Sequence, residues 1–316
     1  MPSSCLSEAA AAWAEPLAAI QGAALPVLLP DLLGPGALPD ALRGCLVHPA
    51  EISFLQWPDE PLQQLGEGAS ATVFRAQFHG EAVAVKVMHV GHGAEAQQAF
   101  MSEAARMQQL RHDHIVSFLG ISLDGPNAML IMEYCPGRDL MGLLQAQTSD
   151  GSGRRLFGWW RRGRHVALHL ARALAHLHSL GIVHMDVKSS NVLLTAQGSA
   201  KLCDVGLSHL LESMRLSAVT CTGTFAWSAP EVLLGDHDCG LPADIYSFGV
   251  VHWELLTGER PARGHLRLPR EVLDLMLRCL STDPGARPTA DQLVAQLEAL
   301  VRLQPSVAAA ANAHAT

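Results

Sequence analysis

Two short segments in the second half of the chain carry side chains that could bind a metal ion and guide a phosphate transfer. The first spans residues 184–191 and holds Asp186 and Asn191, and the second spans residues 201–206 and holds Asp204. Carboxylate and amide oxygens are the hard ligands that Mg²⁺ prefers, and a second carboxylate can orient a nucleophile. The spacing therefore predicts a magnesium–nucleotide site, although two loop aspartates that cap helices would give a similar local pattern.

A glycine-rich turn, Gly66-Glu67-Gly68-Ala69-Ser70, lies between two runs of alternating apolar and polar residues that predict strands. Glycines allow a tight turn whose backbone amides can face phosphate oxygens. The signal is weak when taken alone, because glycine turns are common in hairpins and Ala71 replaces the third glycine of the usual pattern. A strand rather than a helix follows the turn, which argues against a Rossmann-type dinucleotide site.

A lysine and a glutamate between these regions could form a buried ion pair. Lys86 ends an apolar strand-like run, and an edge lysine whose stem covers apolar surface is the simpler explanation. Glu103, however, lies beside the apolar stripe of a predicted helix over residues 100–110, where an unpaired carboxylate would be costly. We therefore expect a Lys86–Glu103 pair that directs the ammonium group toward phosphate oxygens.

Taken together, the order and spacing of these segments resemble the eukaryotic protein kinase domain over about residues 62–303. Ala229-Pro230-Glu231 completes the match to the motifs of that family. The segments over residues 224–231 and 244–259 are most similar to the tyrosine-kinase-like group of Ser/Thr kinases. That group contains the Raf-like and mixed-lineage kinases, and many of its members are of plant or algal type.

The resemblance implies an α+β, bilobal protein kinase fold. A small β-rich N-lobe with one regulatory helix would cover residues 59–133, and a larger α-helical C-lobe would cover residues 134–303. Alanine and proline are frequent in residues 1–58, which predicts a leader of short helical pieces and turns. Residues 304–316 are expected to form a flexible tail.

The resemblance also implies a role for each matched catalytic residue. Lys86 would contact the α- and β-phosphates of ATP and pair with Glu103. Asp186 would accept or orient the proton of the substrate hydroxyl, and Lys188 would steady the transferring phosphoryl group. Asn191 completes this catalytic set.

ATP and Mg²⁺, with Mn²⁺ as an alternative, are the implied cofactors. Asn191 and Asp204 would hold the metal ion. Met132 would be the gatekeeper, and the hinge that reads adenine would follow it. The apolar side chains implied to pack on adenine fit a plain core role equally well. The full set implied to bind ATP is Gly66, Glu67, Gly68, Ala69, Ser70, Val73, Ala84, Lys86, Met132, Glu133, Cys135, Leu193 and Asp204.

Two features favour Ser/Thr over Tyr specificity within the family. Lys188 stands two residues after Asp186, and Thr224 precedes the Ala-Pro-Glu motif. The predicted function is therefore transfer of the γ-phosphate of Mg-ATP to Ser/Thr hydroxyls of protein substrates in intracellular signalling. A dual-specificity kinase remains an alternative. A small-molecule kinase is disfavoured, because Thr224 and the Ala-Pro-Glu motif belong to a peptide-binding segment.

Departures from the family pattern motivate another alternative, a nucleotide-binding pseudokinase scaffold. Ala71, Met185 and Val205 each replace a characteristic residue, and about twenty residues are missing after Pro261. Either the C-lobe is compact or the sequence has lost a segment. Met185 stands where the family's arginine clamps a phosphate on the activation segment. We therefore expect activity that does not depend on phosphorylation of Thr220, unless other cations provide the clamp.

Several polar residues outside the motifs also have predicted roles. Asp244, in a nearly all-apolar helix, is expected to anchor the catalytic loop, and Glu231 is expected to pair with Arg287. His165 and His169 are spaced by one helical turn. No carboxylate or cysteine completes a metal site with them, so they are predicted to be ordinary surface residues of a helix.

The composition excludes several classes of protein. Of 316 residues, 49% are hydrophobic, so a sizeable core can form and wholesale disorder is excluded. The 22 Lys and Arg against 30 Asp and Glu give a net charge of -8, which disfavours nucleic-acid binding. The seven cysteines form no CxxC pair, and no apolar run is long enough for a membrane span. We expect a cytoplasmic protein that acts on protein substrates and does not insert into a membrane. The sequence does not indicate how many subunits it forms.

Overall fold

The computed structural model describes residues 40–54, 62–67, 71–89, 94–124, 127–146, 157–205, 225–235, 240–258 and 270–302. They form two compact units. Unit 1 holds the described residues up to Arg111 together with Ser117–Tyr134, and unit 2 holds His112–Val116 and the described residues from Cys135 onward. A sheet dominates unit 1 and helices dominate unit 2, which confirms the predicted β-rich and helical lobes.

The secondary structure of each unit follows the chain order. Unit 1 contains β1 (Ile52–Phe54), β2 (Gln64–Glu67), β3 (Ala71–Phe78), β4 (Glu81–His89), α1 (Ala94–Gln109), β5 (Phe118–Asp124) and β6 (Asn127–Glu133). Unit 2 contains α2 (Leu140–Gln145), α3 (Arg164–Ser179), β7 (Val192–Leu194), β8 (Ala200–Leu202), α4 (Pro230–Leu233), α5 (Leu241–Thr257), α6 (Arg270–Cys279) and α7 (Ala290–Arg302). A π-helical turn, Trp159–Gly163, leads into α3, and a 3-10 turn, Ser189–Asn191, precedes β7.

Unit 1 is built on an antiparallel sheet in the order β1-β3-β4-β6-β5, with β2 also paired to β3. The central strand β4 shows the alternation that its sequence predicts. Val83, Val85 and Val87 are buried in an apolar core cluster. Ala84 and Lys86 point to the opposite face, because successive side chains of a strand alternate. The sequence of β4 therefore separates the core side of the sheet from the side that carries predicted ATP-binding residues.

Part of the predicted leader belongs to this sheet. In β1, Ile52 pairs with Phe78 of β3, and Leu46 forms a bridge to Ile121. Leu42 is fully buried. The sequence predicts only short helical pieces and turns up to residue 58, whereas the described part of the leader also supplies a strand and core side chains to unit 1.

Helix α1 carries the apolar stripe that its sequence predicts. Phe100, Ala104 and Met107, together with Leu110 just beyond the helix end, are all buried. Such spacing places side chains on one face of a helix. Glu103 lies in the same helix, but its side chain is outside the described part of the structure. The ion pair predicted for it therefore stays a prediction.

Helix α5 forms the centre of unit 2. Most of its side chains between Ala243 and Leu256 are buried, as expected of a helix that is apolar on nearly every side. Helices α3 and α6 pack against it, and α7 packs against α3. The helix ends at Gly258, whose φ of 68° is the left-handed conformation that glycine adopts readily. Among the described helices, none is long and apolar enough to cross a membrane.

Candidate active site

The catalytic loop, residues 184–191 between α3 and β7, brings two predicted catalytic side chains to the carboxylate of a third. The side-chain nitrogen of Asn191 donates to Oδ2 of Asp186 at 2.9 Å and to the backbone oxygen of Asp186 at 2.8 Å. The ammonium group of Lys188 lies 2.8 Å from the same Oδ2. The Asp186 side chain is 33% exposed, so a substrate group can reach it.

These contacts determine which side-chain atoms of Asp186 and Asn191 remain available to a substrate or a metal ion. Both donors contact Oδ2 of Asp186, so Oδ1 is the atom that can accept a proton from a hydroxyl group. The nitrogen of the Asn191 amide faces Asp186, which leaves its oxygen as the atom for a metal ligand. A carboxylate held by an ammonium group beside an oriented amide suits phosphoryl transfer, where positioning and charge neutralisation dominate.

Asp204 follows β8 and is tied to the same loop. The backbone N–H of Cys203 donates to the backbone oxygen of Asn191 at 2.9 Å. Asp204 is half-buried and has a φ of 59°, which is uncommon for a residue other than glycine. Together, the Asn191 amide oxygen and the Asp204 carboxylate provide hard oxygen donors. This donor chemistry fits Mg²⁺ or Mn²⁺.

His184 connects the segment before Asp204 to the backbone of the catalytic loop. Its ring is fully buried. Nε2 donates to the backbone oxygen of Cys203 at 3.0 Å, and Nδ1 accepts the backbone N–H of Asp186 at 3.2 Å. The two partners fix the tautomer, because a carbonyl oxygen only accepts and an N–H only donates. One imidazole thus holds both the residue before Asp204 and the backbone of Asp186.

Asp244 anchors the catalytic loop, as predicted. Its carboxylate is 1% exposed and accepts the backbone N–H groups of His184 at 2.8 Å and Met185 at 2.9 Å. Nε2 of His178 lies 2.9 Å from the same carboxylate. Met185 has a φ of 63°, so the anchor holds a backbone conformation that is otherwise unfavourable. The sequence does not predict the contact from His178, because nothing in its helical segment distinguishes it from neighbouring histidines.

A second buried carboxylate, missed by sequence reasoning, joins the loop to another segment. Glu254 of α5 is 2% exposed and accepts the Ser189 hydroxyl at 2.9 Å and the indole N–H of Trp227 at 2.9 Å. The hydroxyl of Ser247 donates to the backbone oxygen of Trp227 at 2.7 Å. The catalytic loop and the segment before the Ala-Pro-Glu motif are therefore held by one helix. A glutamate in an otherwise apolar helix was the available signal.

The predicted Glu231–Arg287 pair is present and bidentate. Two guanidinium nitrogens of Arg287 lie 2.6 and 2.9 Å from the two carboxylate oxygens of Glu231. Arg287 also donates to the backbone oxygens of Pro242 and Ser281. Its hydrogen bonds hold the pKa of the Glu231 carboxyl below its ordinary value. The pair links α4 to α5 and to the turn before α7, which is a structural role.

In unit 1, the strand registers place four predicted ATP-binding residues on one face of the sheet. Val73 is paired with Lys86, and Ala84 is paired with Met132. Paired residues share a face, as do residues two apart on one strand. Lys86 is only 8% exposed, which excludes an edge lysine in solvent. Glu133 follows Met132 at the end of β6, where its carboxylate accepts a backbone N–H.

The described residues on either side of the glycine-rich turn form two antiparallel strands, as predicted. Gly66 and Glu67 at the end of β2 are paired with Val73 and Thr72 of β3. Residues 68–70, which hold the other predicted members of the turn, lie outside the described part of the chain. Their contact with phosphate stays a prediction.

The remaining predicted ATP-binding residues lie in unit 2. Cys135 is buried and Leu193 is half-buried on β7. Gly137 donates its N–H to the backbone oxygen of Leu194 at 2.8 Å, and a Cβ at Gly137 would come within 2.6 Å of that oxygen. Only glycine therefore fits this close approach, which holds the segment after Cys135 against β7.

Two other predicted features fall outside the described residues. The segment over residues 206–224 contains Thr220 and Thr224, and the shortened region lies within residues 259–269. The roles expected of them stay predictions.

The prediction that His169 is an ordinary surface residue was wrong. Its ring stacks on that of His114, with centroids 4.1 Å apart, and its Nδ1 accepts the backbone N–H of Ala200 at 3.2 Å. Helical spacing alone could not reveal these contacts, because the partners lie far away in the chain.

Comparison with known proteins agrees with this geometry. The family profile described as protein kinase domain matches residues 60–297. The mitogen-activated protein kinase kinase kinase dlk-1 of Caenorhabditis elegans is 35% identical over 210 residues, covering 66% of this chain and 20% of the relative. The serine/threonine-protein kinase CTR1 of Arabidopsis thaliana is 35% identical over 271 residues, covering 78% of this chain and 32% of the relative.

A third relative is also named as a serine/threonine-protein kinase. The probable serine/threonine-protein kinase SIS8 of Arabidopsis thaliana is 34% identical over 263 residues, covering 75% of this chain and 24% of the relative. The chain thus spans 20% to 32% of the length of these three curated relatives. By its matched residues and the arrangement of its catalytic loop, the chain belongs to the protein kinase domain family, among the tyrosine-kinase-like serine/threonine kinases.

Proposed function

We propose that the chain is an active protein serine/threonine kinase that uses Mg-ATP to phosphorylate Ser and Thr side chains of protein substrates. The observation that supports this most directly is the convergence of Lys188 and Asn191 on Oδ2 of Asp186. A scaffold that only binds nucleotide has no use for a carboxylate held in this way with one oxygen left to accept a proton.

In the proposed reaction, Oδ1 of Asp186 accepts the proton of the substrate hydroxyl while the hydroxyl oxygen forms a bond to the γ-phosphorus. The bond between that phosphorus and the oxygen of the leaving ADP breaks. The Lys188 ammonium group, already beside Asp186, neutralises negative charge on the transferred phosphoryl group. Such a reaction depends mainly on positioning and electrostatic stabilisation.

Other residues have supporting tasks in this proposal. Lys86 would neutralise the α- and β-phosphates. Asn191 and Asp204 would hold Mg²⁺, and the bound ion would supply further neutralisation of phosphate charge. Two observations support Ser/Thr specificity. Lys188 lies two residues after Asp186, and similar proteins are named as serine/threonine kinases. The net charge of -8 supports a protein rather than a nucleic-acid partner, and a cytoplasmic location is part of the same proposal.

The test measures transfer of labelled γ-phosphate from ATP to a generic basic protein. Asp186→Asn preserves the size of the side chain and removes its ability to take up a proton. We expect the rate to fall at least about 100-fold, the usual contribution of a positioned general base. Binding of Mg-ATP, measured by calorimetry, should persist.

The matched control is Asp291→Asn, which changes an exposed aspartate in the first turn of α7. This variant should keep the full rate. Measurable Mg-ATP binding by the unsubstituted protein without any transfer would contradict the proposal and support the pseudokinase scaffold.

A further inference from the structure

Strand β8 has only one partner strand within the part of the chain that the structure describes. That strand is β7, in a register that pairs Leu193 with Lys201. The backbone groups of Leu202 bind elsewhere: its N–H donates to the backbone oxygen of His114 at 2.8 Å, and its oxygen accepts the N–H of Val116 at 2.9 Å. Alternate residues of a strand turn their hydrogen-bonding groups to opposite sides. Those of β8 that face away from β7 must therefore find other partners.

Two imidazoles meet this need at Ala200, the first residue of β8. The Nδ1 of His114 donates to the Ala200 backbone oxygen at 3.1 Å, and the Ala200 N–H donates to Nδ1 of His169 at 3.2 Å. The partners fix both tautomers, because a carbonyl only accepts and an N–H only donates. The rings stack with an interplanar angle of 12°. The pair thus supplies the donor and the acceptor that a neighbouring strand would supply.

This pairing is the first of a series of contacts that runs along the backbone to Asp204. At the other end of β8, the N–H of Cys203 donates to the backbone oxygen of Asn191, and its backbone oxygen accepts Nε2–H of His184. Asp204 comes next, with its positive φ. A shift at the start of β8 would therefore be passed to the carboxylate that the proposed function assigns to the metal ion.

We propose that His114 and His169 are positioning residues for Asp204, since at Ala200 their side chains supply the hydrogen-bonding partners that the backbone of residues 114–116 supplies at Leu202, and so fix the start of β8. The inference rests on the proposed kinase function, which gives Asp204 its task as a metal ligand. His169 contributes the acceptor and His114 the donor. Both act through the backbone of β8 rather than on the substrate.

The surroundings keep both rings neutral, which the acceptor role of His169 requires. Burial is the main cause that lowers the pKa of His169 to about 4, and the nearby basic groups His114, Arg172 and His165 act in the same direction. Burial is also the main cause that lowers the pKa of His114. The hydrogen bond to the Ala200 oxygen opposes it, and Arg172 acts in the same direction as burial. Among the described residues, Asp113 opposes the shift of His114 and Lys201 supports it. Glu298 pairs with Arg172 at 2.8 Å, and the rings of His112 and His176 stack on each other beside His114.

The acceptor role of His169 is tested with a pair of variants. In His169→Asn, the side-chain oxygen can take the place of Nδ1 and accept the Ala200 N–H. His169→Leu fills a similar volume without any acceptor. His165→Leu is the matched control, because His165 lies one turn earlier on α3 and takes no part in these hydrogen bonds.

The first readout is metal binding without catalysis. Mn²⁺ is titrated in the presence of a non-hydrolysable ATP analogue, and the free ion is measured by electron paramagnetic resonance. We expect His169→Leu to weaken Mn²⁺ binding about tenfold, as is usual when a side chain that supports a metal ligand is lost. His169→Asn and His165→Leu should bind like the unsubstituted protein.

The second readout is phosphoryl transfer as a function of Mg²⁺ concentration. His169→Leu should require more Mg²⁺ for half-maximal rate, while its KM for the protein substrate stays unchanged. A variant that merely loosens the fold would not separate these two quantities. Unchanged Mn²⁺ binding by His169→Leu, or an equal loss in His169→Leu and His169→Asn, would overturn the proposal.

Two further outcomes also give a decision. If thermal unfolding shows that His169→Leu does not fold, the pair His114→Asn and His114→Leu is judged by the same criterion, since Asn places an amide donor near the position of Nδ1. If the unsubstituted protein binds Mn²⁺ but transfers no phosphate, the proposed function fails, and the Mn²⁺ comparison still decides the role of His169.

Discussion

The sheet of unit 1 and the catalytic loop of unit 2 hold their functional side chains by different physical means. In unit 1, Lys86 owes its position to strand register and to the alternation of side chains over a core of valines. In unit 2, Asp186 and its neighbours are held by buried polar groups, among them Asp244 and Glu254. Apolar packing is shared among many contacts, whereas a polar anchor concentrates its effect in one side chain.

This difference implies unequal tolerance to substitution. Removing one methylene from the unit 1 core leaves the other contacts in place, so the effect should be graded. Removing one partner of a buried polar network leaves unsatisfied groups, which is disproportionately costly. Loss of an anchor in unit 2 should therefore reduce activity and stability together.

The largest effect is expected for Asp244→Ala. The substitution leaves the buried N–H groups of His184 and Met185 without their acceptor, so the free energy of unfolding should fall by about 3–5 kcal/mol. Phosphoryl transfer should be lost even where the variant is still folded. Urea unfolding and the transfer assay measure the two consequences. Asp291→Ala, at the first turn of α7, should change stability by no more than about 1 kcal/mol. Equal behaviour of the two variants would refute the anchor.

A smaller effect is expected for Glu254→Gln. The amide can still accept the Trp227 N–H, and its nitrogen can donate to the Ser189 hydroxyl, but the charge is lost. We expect the free energy of unfolding to fall by about 1.5 kcal/mol, the lower range for a hydrogen bond to a charged group. In a double-mutant cycle, Ser189→Ala should add less to Glu254→Gln than it costs alone. Strict additivity would show that the two side chains do not interact.

Lowering the pH should reduce the free energy of unfolding, because a buried histidine of unit 2 resists protonation in the folded state. His252 is fully buried against Trp159 and Phe248, and burial lowers its pKa from 6.5 to about 3. Between these values the unfolded chain binds the extra proton, so stability is complete above pH 6.5 and falls as the pH is lowered toward 3. The loss should be about 1.4 kcal/mol per pH unit below 6.5.

The comparison that isolates this effect is His252→Leu against Leu277→Ala, which changes an exposed residue of α6 that carries no titratable group. Unfolding in urea is followed at a series of pH values from neutral into the acid range. The slope of stability with pH should be shallower in His252→Leu and unchanged in Leu277→Ala. Parallel curves for all three proteins would show that His252 does not titrate in this way.

A core substitution in unit 1 sharpens the contrast. Ile131 is fully buried in the sheet core, and Ile131→Val should lower the free energy of unfolding by about 1 kcal/mol. Its rate of phosphoryl transfer should equal that of the unsubstituted protein at temperatures where both are folded. A large loss of rate without a matching loss of stability would mean that the core of unit 1 takes a more direct part in catalysis.

The smallest effect is expected for Thr220→Ala. Met185 replaces the arginine that clamps a phosphate in other family members, so activity should not depend on a phosphate at Thr220. The transfer rate of Thr220→Ala should therefore match that of the unsubstituted protein. Abolition of activity by this change would show that other cations provide the clamp.

The contrast between the units also decides what could be predicted from the sequence. The strands around Lys86 and the buried stripe of α1 follow from short-range periodicity, which a single sequence displays. The anchor at Asp244 was predictable because a carboxylate in an apolar helix requires partners. The contacts of Ala200 with His114 and His169 were not predictable, because they join distant segments and depend on the tautomer of each ring.

The strand β1 was missed for a related reason. Its three residues are too few to show a period, and it is stabilised by pairing with Phe78 of β3 and not by local preference. The partners of Glu254 were equally hidden, since Ser189 and Trp227 reach it from separate loops. Local patterns thus indicated the elements and the catalytic motifs, while long-range polar contacts required the structure.

The most direct test of the central claim is phosphoamino-acid analysis of a protein substrate after incubation with labelled ATP, run beside Asp186→Asn. We expect phosphoserine or phosphothreonine with the unsubstituted protein and neither with the variant. Phosphotyrosine as the main product would contradict the proposed specificity. Equal labelling by the two proteins would contradict the assignment of Asp186, on which the mechanism depends.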